Sequence, residues 1–330
     1  MQAQTMVFER KQHVALISQD LPQMQPDQIR AHALCSLIST GTEGICFNRM
    51  FNEDSHWATW VRYPFRPGYS WVGRVTEVGS DVKDIAVGDR VAARRGHASE
   101  HILSDSEVVK IPDEVASDQA AWFALAKIAA MGAKVAEYHL GDDALIIGAG
   151  PIGQMSLRWA YAAGCRNVIV VDPISKRLGA AIDGGATSVI DQPVAGIESA
   201  VRGILGGELP DIVMDTTGHP AVFSEALRLT RDFGRMVLIG DTGHPEQQCL
   251  TSDLLRKGLH IVGAHDVHNT PQWNTSTISK LFFSLIKQGR FNMQNLNWHV
   301  FKPAECSKVY QMISERRADT MGILFDWSDQ

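Results

Sequence analysis

The run Gly148-Ala149-Gly150-Pro151-Ile152-Gly153 constrains this chain most. The apolar stretch Ala144 to Ile147 leads into it, a helical segment follows, and a second apolar stretch, Val168 to Val171, ends at Asp172. Gly148 permits a tight strand-to-helix turn, Gly150 lets a pyrophosphate approach the backbone, and Gly153 lets the helix pack closely on a sheet. Amides at the start of that helix then bind phosphate. Asp172 closes the pattern, because its carboxylate suits the two hydroxyls of an adenosine ribose and repels a 2′-phosphate. The unit reads as a dinucleotide-binding βαβ motif with a preference for NAD(H) over NADP(H).

With 330 residues, 45% of them hydrophobic and 21% charged, the chain is long enough for two domains with their own cores. A formal charge of −6 and the absence of a Lys/Arg cluster argue against nucleic acid or an anionic membrane as partner. No apolar run is long enough to span a bilayer, and Met1 to Arg30 lacks the order of a signal peptide, so a cytoplasmic location is expected. The five cysteines are scattered without a CxxC pair and read as reduced core residues.

Before Asp142 the pattern is β-rich: Gln28 to Leu34, Val72 to Val78 and Arg90 to Ala93 read as short strands punctuated by Gly68, Gly73, Gly79 and Gly88. The Ala-rich stretch Asp118 to His139 predicts a joining helix ended by Gly141. After Asp172, strands at Ser188 to Ile190, Ile212 to Met214, Met236 to Ile239 and His260 to Val262 alternate with helices, which implies a parallel sheet. Ligands of such sheets sit beyond the carboxyl ends of the strands, which places Thr216, Thr217 and Gly218, then Gly240, Asp241 and Thr242, then Ala264 and His265, beside the cofactor. Leu281 to Gln288 reads as helical, and the strand Met321 to Trp327 is expected to return to the first domain.

Four landmarks extend the reading over the whole chain: Pro67-Gly68-Tyr69-Ser70-Trp71-Val72-Gly73-Arg74-Val75 with Val78-Gly79, Gly88-Asp89-Arg90-Val91, the glycine loop, and Asp215-Thr216-Thr217-Gly218. Together they resemble the medium-chain dehydrogenase/reductase superfamily of zinc-type alcohol dehydrogenase-like proteins. The resemblance implies an α/β protein with a GroES-like β-rich catalytic domain over 1–126 and 268–330 and a Rossmann NAD-binding domain, a doubly wound parallel sheet, over 127–267. It also implies a homodimer joined through the strand His260 to Val262, and it makes Arg177 a contact of the adenosine ribose. Asp191 is expected at the adenine edge or as a loop cap. The Ser39-Thr40-Gly41-Thr42-Glu43 run and the Gly68-Tyr69 pair look most like a subgroup that includes the bacteriochlorophyllide dehydrogenases, which fixes no substrate.

Zinc members of the family place a Cys before Gly-Thr-Asp and a His-Glu pair after the first landmark glycine. Here Thr40 precedes Gly41-Thr42-Glu43, Tyr69-Ser70 replaces His-Glu, no Cys, Asp or Glu stands near Ala126, and the four-Cys lobe is missing. Threonine and tyrosine are poor zinc ligands, so no zinc is expected at either site. Without a Lewis acid another group must stabilise charge on the substrate oxygen. Thr42 falls at the family's relay hydroxyl and Tyr69 at a lost ligand position, so both are candidate oxyanion donors. Of the histidines weighed, His97 follows a strand expected to end near the cleft and His265 follows the last sheet strand, which makes both candidates for proton transfer. Glu43 stands for a supporting family Asp, with capping or a salt bridge as the structural alternative. A rearranged metal site from Cys46, His56, His97 and Glu43 is a further alternative. Trp57, Trp60, Tyr63 and Phe65 suit an apolar or ring-containing substrate, and core packing explains them equally well.

The sequence therefore predicts a zinc-independent NAD(H)-dependent oxidoreductase acting on a secondary alcohol or its ketone. Reduction of a quinone or activated C=C bond is the alternative. From another class, a non-catalytic NAD(H)-binding sensor or scaffold fits the same cofactor motif.

Overall fold

A turn without glycine opens the fold. Gln12 adopts a positive φ of 58°, which lets β1 (Gln2–Arg10) and β2 (His13–Asp20) pair as an antiparallel hairpin. β3 (Gln28–Ile38) follows, then the short helices α1 (Thr40–Asn48) and α2 (His56–Trp60), then β4 (Trp71–Val78), β5 (Arg90–Ala93), β6 (Glu100–Ser104) and β7 (Val108–Lys110). Helices α3 (Ser117–Ala120) and α4 (Phe123–Ala136) lead to β8 (Asp143–Ile147), α5 (Pro151–Ala163), β9 (Asn167–Val171), α6 (Ser175–Asp183) and β10 (Ser188–Ile190). Next come α7 (Glu198–Ile204), β11 (Ile212–Asp215), α8 (Pro220–Leu229), β12 (Arg235–Leu238), α9 (Asp253–Lys257) and β13 (His260–Gly263). The chain ends with α10 (Thr275–Lys287), β14 (Asn297–Phe301), α11 (Cys306–Glu315) and β15 (Gly322–Asp326).

The computed structural model describes residues 1–328, which form two units. The first comprises Met1–Ala124, Thr275–Lys287 and the residues from Leu296 onward; the second comprises Leu125–Asn274 and Gln288–Asn295. In the first, β3 is the hub of a seven-stranded sheet of order β14-β15-β3-β4-β5-β7, with β6 also pairing β3. Its burial rises from alternating to continuous over Cys35 to Ile38, where β4 and β15 flank it on either side. β15 pairs antiparallel with β3, as the return of the last apolar strand requires.

The second unit is a six-stranded parallel sheet of order β10-β9-β8-β11-β12-β13. The two sides of each strand feed different cores: Ala144, Ile146, Val168 and Val170 meet Leu157 and Leu178, while Leu145, Ile147, Ile169 and Val171 meet Val201 and Phe223. Helices on both faces make this the doubly wound arrangement that alternating strands and helices imply.

Three boundaries differ from expectation. The helix expected from Asp118 to His139 is two helices, parted where Trp122 buries its indole and donates to Asn297 Oδ1 at 2.8 Å. It ends at Ala136, followed by Glu137 with φ 52°, rather than at Gly141. Residues 288–295, assigned by sequence to the first domain, pack with the second unit instead, as do residues 268–274. The reason lies in a ring contact and a buried cation: Phe291 meets Trp159 edge to face at 5.0 Å, and Arg158 Nε donates to the Asn292 carbonyl. Among the described residues no helix is long and apolar enough to cross a membrane.

Phe291 is 1% exposed. Phe291→Ala is expected to lower unfolding free energy by about 3–5 kcal/mol. Denaturant titration checks this, and an unchanged midpoint would mean that the returning segment is not anchored.

Candidate functional site

In the second unit the glycine loop is held from several sides. Gly148 takes a φ of 91°, and a Cβ there would lie 2.7 Å from Thr217 Cγ2. At Gly153 a Cβ would lie 1.8 Å from the Gly148 carbonyl oxygen, so only glycine lets α5 start so close to the turn. Around the Cβ direction of Gly150, by contrast, nothing lies within 4 Å, leaving the room a pyrophosphate needs. Pro151 occupies the first turn of α5, and Ile152 and Gly153 follow with amides that lack acceptors inside the helix.

The loop after β11 closes against this turn. Thr216 Oγ1 donates to the carbonyls of Ile147 and Gly148 at 2.9 and 3.1 Å. Thr217 donates through its amide and hydroxyl to Asp215 Oδ1 at 2.8 and 2.7 Å. Gly240 is packed on Thr217 and Gly218 so tightly that a Cβ would meet the Gly218 amide at 2.1 Å. Asp241 and Thr242 continue that loop, Thr242 accepting from the His244 amide at 3.2 Å, and Ala264 is bonded through its amide to Leu238 at 2.9 Å. The structure thus brings Gly148, Gly150, Pro151, Ile152, Gly153, Thr217 and Gly240 together at the carboxyl ends of the sheet.

Asp172 ends β9 and is 4% exposed. Its Oδ2 accepts from the Ala149 amide at 2.7 Å, its Oδ1 accepts from the Ile174 amide at 2.8 Å, and Arg177 Nη1 lies 3.7 Å from Oδ2. Asp191 accepts from Ser175 Oγ at 2.5 Å at the start of α6, a side-chain contact that caps no backbone group. His265 is exposed in the turn after β13, where its Nδ1 accepts from the Val267 amide.

The first unit holds a separate polar cluster. Tyr69 donates its hydroxyl to Ser39 Oγ at 2.5 Å and lies 3.3 Å from Thr42 Oγ1; the Arg94 guanidinium stands 4.9 Å above its ring. Burial pushes the Tyr69 phenol up to about 12, against the downward pull of Ser39, Thr42 and Arg94. Thr40 is buried on the same turn and Ser70 donates to the Ala121 carbonyl. Ser39, absent from the sequence-based candidates, is the missed member; its place directly before Thr40 was the available signal.

His97 and Glu43 are the main correction. Both are buried, His97 at 0% and Glu43 at 1% exposed, so neither reaches a substrate. One tautomer satisfies the whole group: Trp327 Nε1 donates to Ser36 Oγ at 2.9 Å, Ser36 donates to His97 Nδ1 at 2.7 Å, and His97 Nε2 donates to Glu43 Oε2 at 3.1 Å. Tyr310 donates to the same oxygen at 2.5 Å and the Ser39 amide to Oε1 at 2.8 Å. Gly68, with φ 91°, makes room for this imidazole, since a Cβ there would lie 2.7 Å from its ring. Cys46 is fully buried, and burial together with Glu43 pushes its thiol far up; among the described residues Cys46, His56, His97 and Glu43 do not form a group within reach of one metal ion.

The aromatic residues expected over a cleft belong to the core. Trp57 stacks on Phe51 at 6.4 Å, Phe65 packs on Phe8, and Tyr63 donates to the Cys46 carbonyl at 2.6 Å; only Trp60 is half exposed. Past Ala126, Lys127 buries its ammonium against Asp266 Oδ1 at 2.8 Å in the second unit. A lone lysine in an apolar helix was its sequence signal.

Two family models match the chain: the alcohol dehydrogenase GroES-like domain over residues 35–113 and the zinc-binding dehydrogenase domain over residues 151–281. The chain belongs to the medium-chain dehydrogenase/reductase superfamily. Among its relatives in the superfamily, an L-threonine 3-dehydrogenase of Xanthomonas campestris pv. campestris (strain B100) is 27% identical, covering 82% of this chain and 86% of its own. A D-guloside 3-dehydrogenase of Escherichia coli (strain K12) is 26% identical, covering 79% and 78%. Solved structures that share the fold include a short chain alcohol dehydrogenase from E. coli CFT073 complexed with NADH, with TM-score 0.82, 20% identity and 98% and 99% coverage. Another is a putative zinc-binding dehydrogenase from Sinorhizobium meliloti 1021 bound to NADP, with TM-score 0.83, 18% identity and 99% of both chains covered.

One histidine of the first unit has a calculable effect on this superfamily member's stability. His101 lies 3.0 Å from the Gly96 carbonyl and edge-on to Trp71, and burial pulls it down from 6.5 to about 4. The unfolded chain takes up the proton first, so this contribution is complete above pH 6.5 and is lost as pH falls toward 4. Stability is expected to drop by on the order of 3 kcal/mol across that window. Urea midpoints against pH check it: His101→Gln should flatten the slope, and an identical slope would refute the assignment.

Proposed function

We propose that this NAD(P)-dependent oxidoreductase moves hydride between NAD(H) and a secondary alcohol or its ketone, with the Tyr69 and Thr42 hydroxyls serving the substrate oxygen and no zinc taking part. The supporting observation is the Ser39, Thr42 and Tyr69 hydroxyl group, linked at 2.5 and 3.3 Å, on the turn where zinc relatives carry metal ligands. The donor set does not fit zinc. Thr40, Tyr69 and Ser70 offer neutral hydroxyls, and Glu43 and His97 spend their acceptor and donor atoms on each other and on Ser36, Ser39 and Tyr310.

When bound, the nicotinamide ring gives or takes the hydride. The chain's own groups handle the oxygen and its proton. As a ketone is reduced, negative charge grows on its oxygen, and a hydroxyl in hydrogen-bond reach stabilises that charge. A phenol near 12 is a stronger acid than the alcohol being formed, so Tyr69 gives its proton downhill and takes one back through Ser39 or Thr42. In the oxidation direction the same hydroxyls accept the alcohol's proton. Arg94 over the Tyr69 ring favours the transient phenolate.

The adenosine end rests on the glycine loop, Asp172 and Arg177. A carboxylate at 4% exposure faces a 2′-phosphate with like charge, which supports NAD over NADP.

Tyr69→Phe is expected to lower kcat by about 100-fold and Thr42→Val by about tenfold with secondary alcohols and ketones, leaving NADH affinity unchanged. Rates unchanged in both variants would sink the hydroxyl mechanism, and turnover of enones or quinones but not ketones would replace the substrate class. Elemental analysis of chelator-treated protein should find no stoichiometric zinc; about one tightly held zinc per chain would overturn the metal-free reading.

A further inference from the structure

Behind the glycine loop lies a buried chain of polar side chains that the proposed chemistry does not use. Gln154, on the first turn of α5, is 0% exposed. One N–H of its amide donates to the Ala149 carbonyl at 3.0 Å and the other to the Arg177 carbonyl at 2.9 Å. Its Oε1 accepts from Arg158 Nη1 at 2.8 Å. Arg158, also 0% exposed, donates further to the carbonyls of Gln154, Ala180 and Asn292.

The backbone of Ala149 is therefore gripped on both sides, its N–H, in the Gly148–Ala149 peptide, by Asp172 and its C=O, in the Ala149–Gly150 peptide, by Gln154. Those two peptides form the middle of the Gly148-Ala149-Gly150 turn. We propose that Gln154, held by Arg158, is a positioning residue that couples the phosphate-binding turn to Asp172 and Arg177, so that the part of the site that reads the ribose and the part that holds the pyrophosphate act as one hydrogen-bonded body. Removing either grip frees one of these two peptides to rotate and misaligns the amides that face phosphate. Asp172 consequently has two duties, and replacing it costs affinity for any dinucleotide rather than exchanging one ribose preference for another.

Three features make the coupling physical rather than spatial. Every polar atom of the Gln154 side chain is paired, so a rotated amide would strand buried donors, at a cost of about 1–3 kcal/mol each. Burial draws the Arg158 guanidinium down to about 9, with Asp183 opposing, which leaves it cationic at neutral pH and a strong partner for Oε1. Gly184 faces Arg158 so closely that a Cβ would lie 2.5 Å from its guanidinium carbon, which fixes where that group sits.

The inference rests on the superfamily's nicotinamide cofactor but not on NAD over NADP. The test is a double-mutant cycle read by fluorescence titration with NADH and NADPH and by competition with ADP-ribose. Gln154→Leu should weaken NADH and ADP-ribose binding by the same factor, about tenfold, with kcat at saturating cofactor within about twofold of wild type. Asp172→Ala should weaken NADH binding without raising NADPH affinity above the wild-type value. The double variant should bind no more weakly than Asp172→Ala alone. Should Gln154→Leu misfold, Gln154→Glu keeps the Arg158 pair while deleting both donors, and the same loss is expected. Losses that multiply in the double variant, an unchanged NADH affinity in a folded Gln154 variant, or NADPH affinity in Asp172→Ala reaching the wild-type NADH value would each overturn the coupling. A wild type that prefers NADPH would sink the NAD reading alone, and the cycle would still decide the coupling.

Discussion

One buried carboxylate organises the first unit. Taking Glu43 out of water costs on the order of several kcal/mol unless its lone pairs are met. Three donors meet them, from three distant parts of the chain: the Ser39 amide, His97 and Tyr310. Each donor brings its own neighbours: Tyr310 carries Phe8 and Phe47 against its ring, His97 carries Ser36 and Trp327, and Ser39 carries Tyr69. The turn that carries the Ser39 and Thr42 hydroxyls thus hangs from a buried carboxylate. A group so placed acts on chemistry only by setting the position of others.

The two polar sites are built on opposite principles. In the second unit the site is shaped by backbone: glycines open space, and Asp172, Gln154 and Thr216 fix peptide groups. In the first unit side-chain hydroxyls cluster instead, and burial raises the Tyr69 phenol while Ser39, Thr42 and the Arg94 guanidinium pull against it.

This difference explains how much the sequence revealed. Backbone sites leave a spacing behind, so the glycine loop, its Asp and the strands that flank it were legible to within a residue or two: the expected stretches Ala144 to Ile147 and Val168 to Val171 fall within one residue of β8 and β9. The loops after β11 and β12 followed from topology. Side-chain sites leave only residue types. Tyr69 and Thr42 were found through a resemblance, but the burial of His97 and Glu43 was invisible, because a histidine after a strand looks the same whether it lines a cleft or fills a core. The α1 helix was missed since Gly41 and Gly44 lie inside it, and the first hairpin because Gln12 takes a conformation usually left to glycine or asparagine.

The order of strands in the first sheet bears on how the chain comes to be folded. β15 lies against β3, and the hydrogen bond from Trp327 to Ser36 spans 291 residues of sequence. During synthesis the hydrophobic edge of β3 must therefore wait, uncovered, while the whole parallel sheet of the second unit is made and can already fold. The first sheet to begin is the last to close, and for that interval it offers an unpaired strand to any other nascent chain.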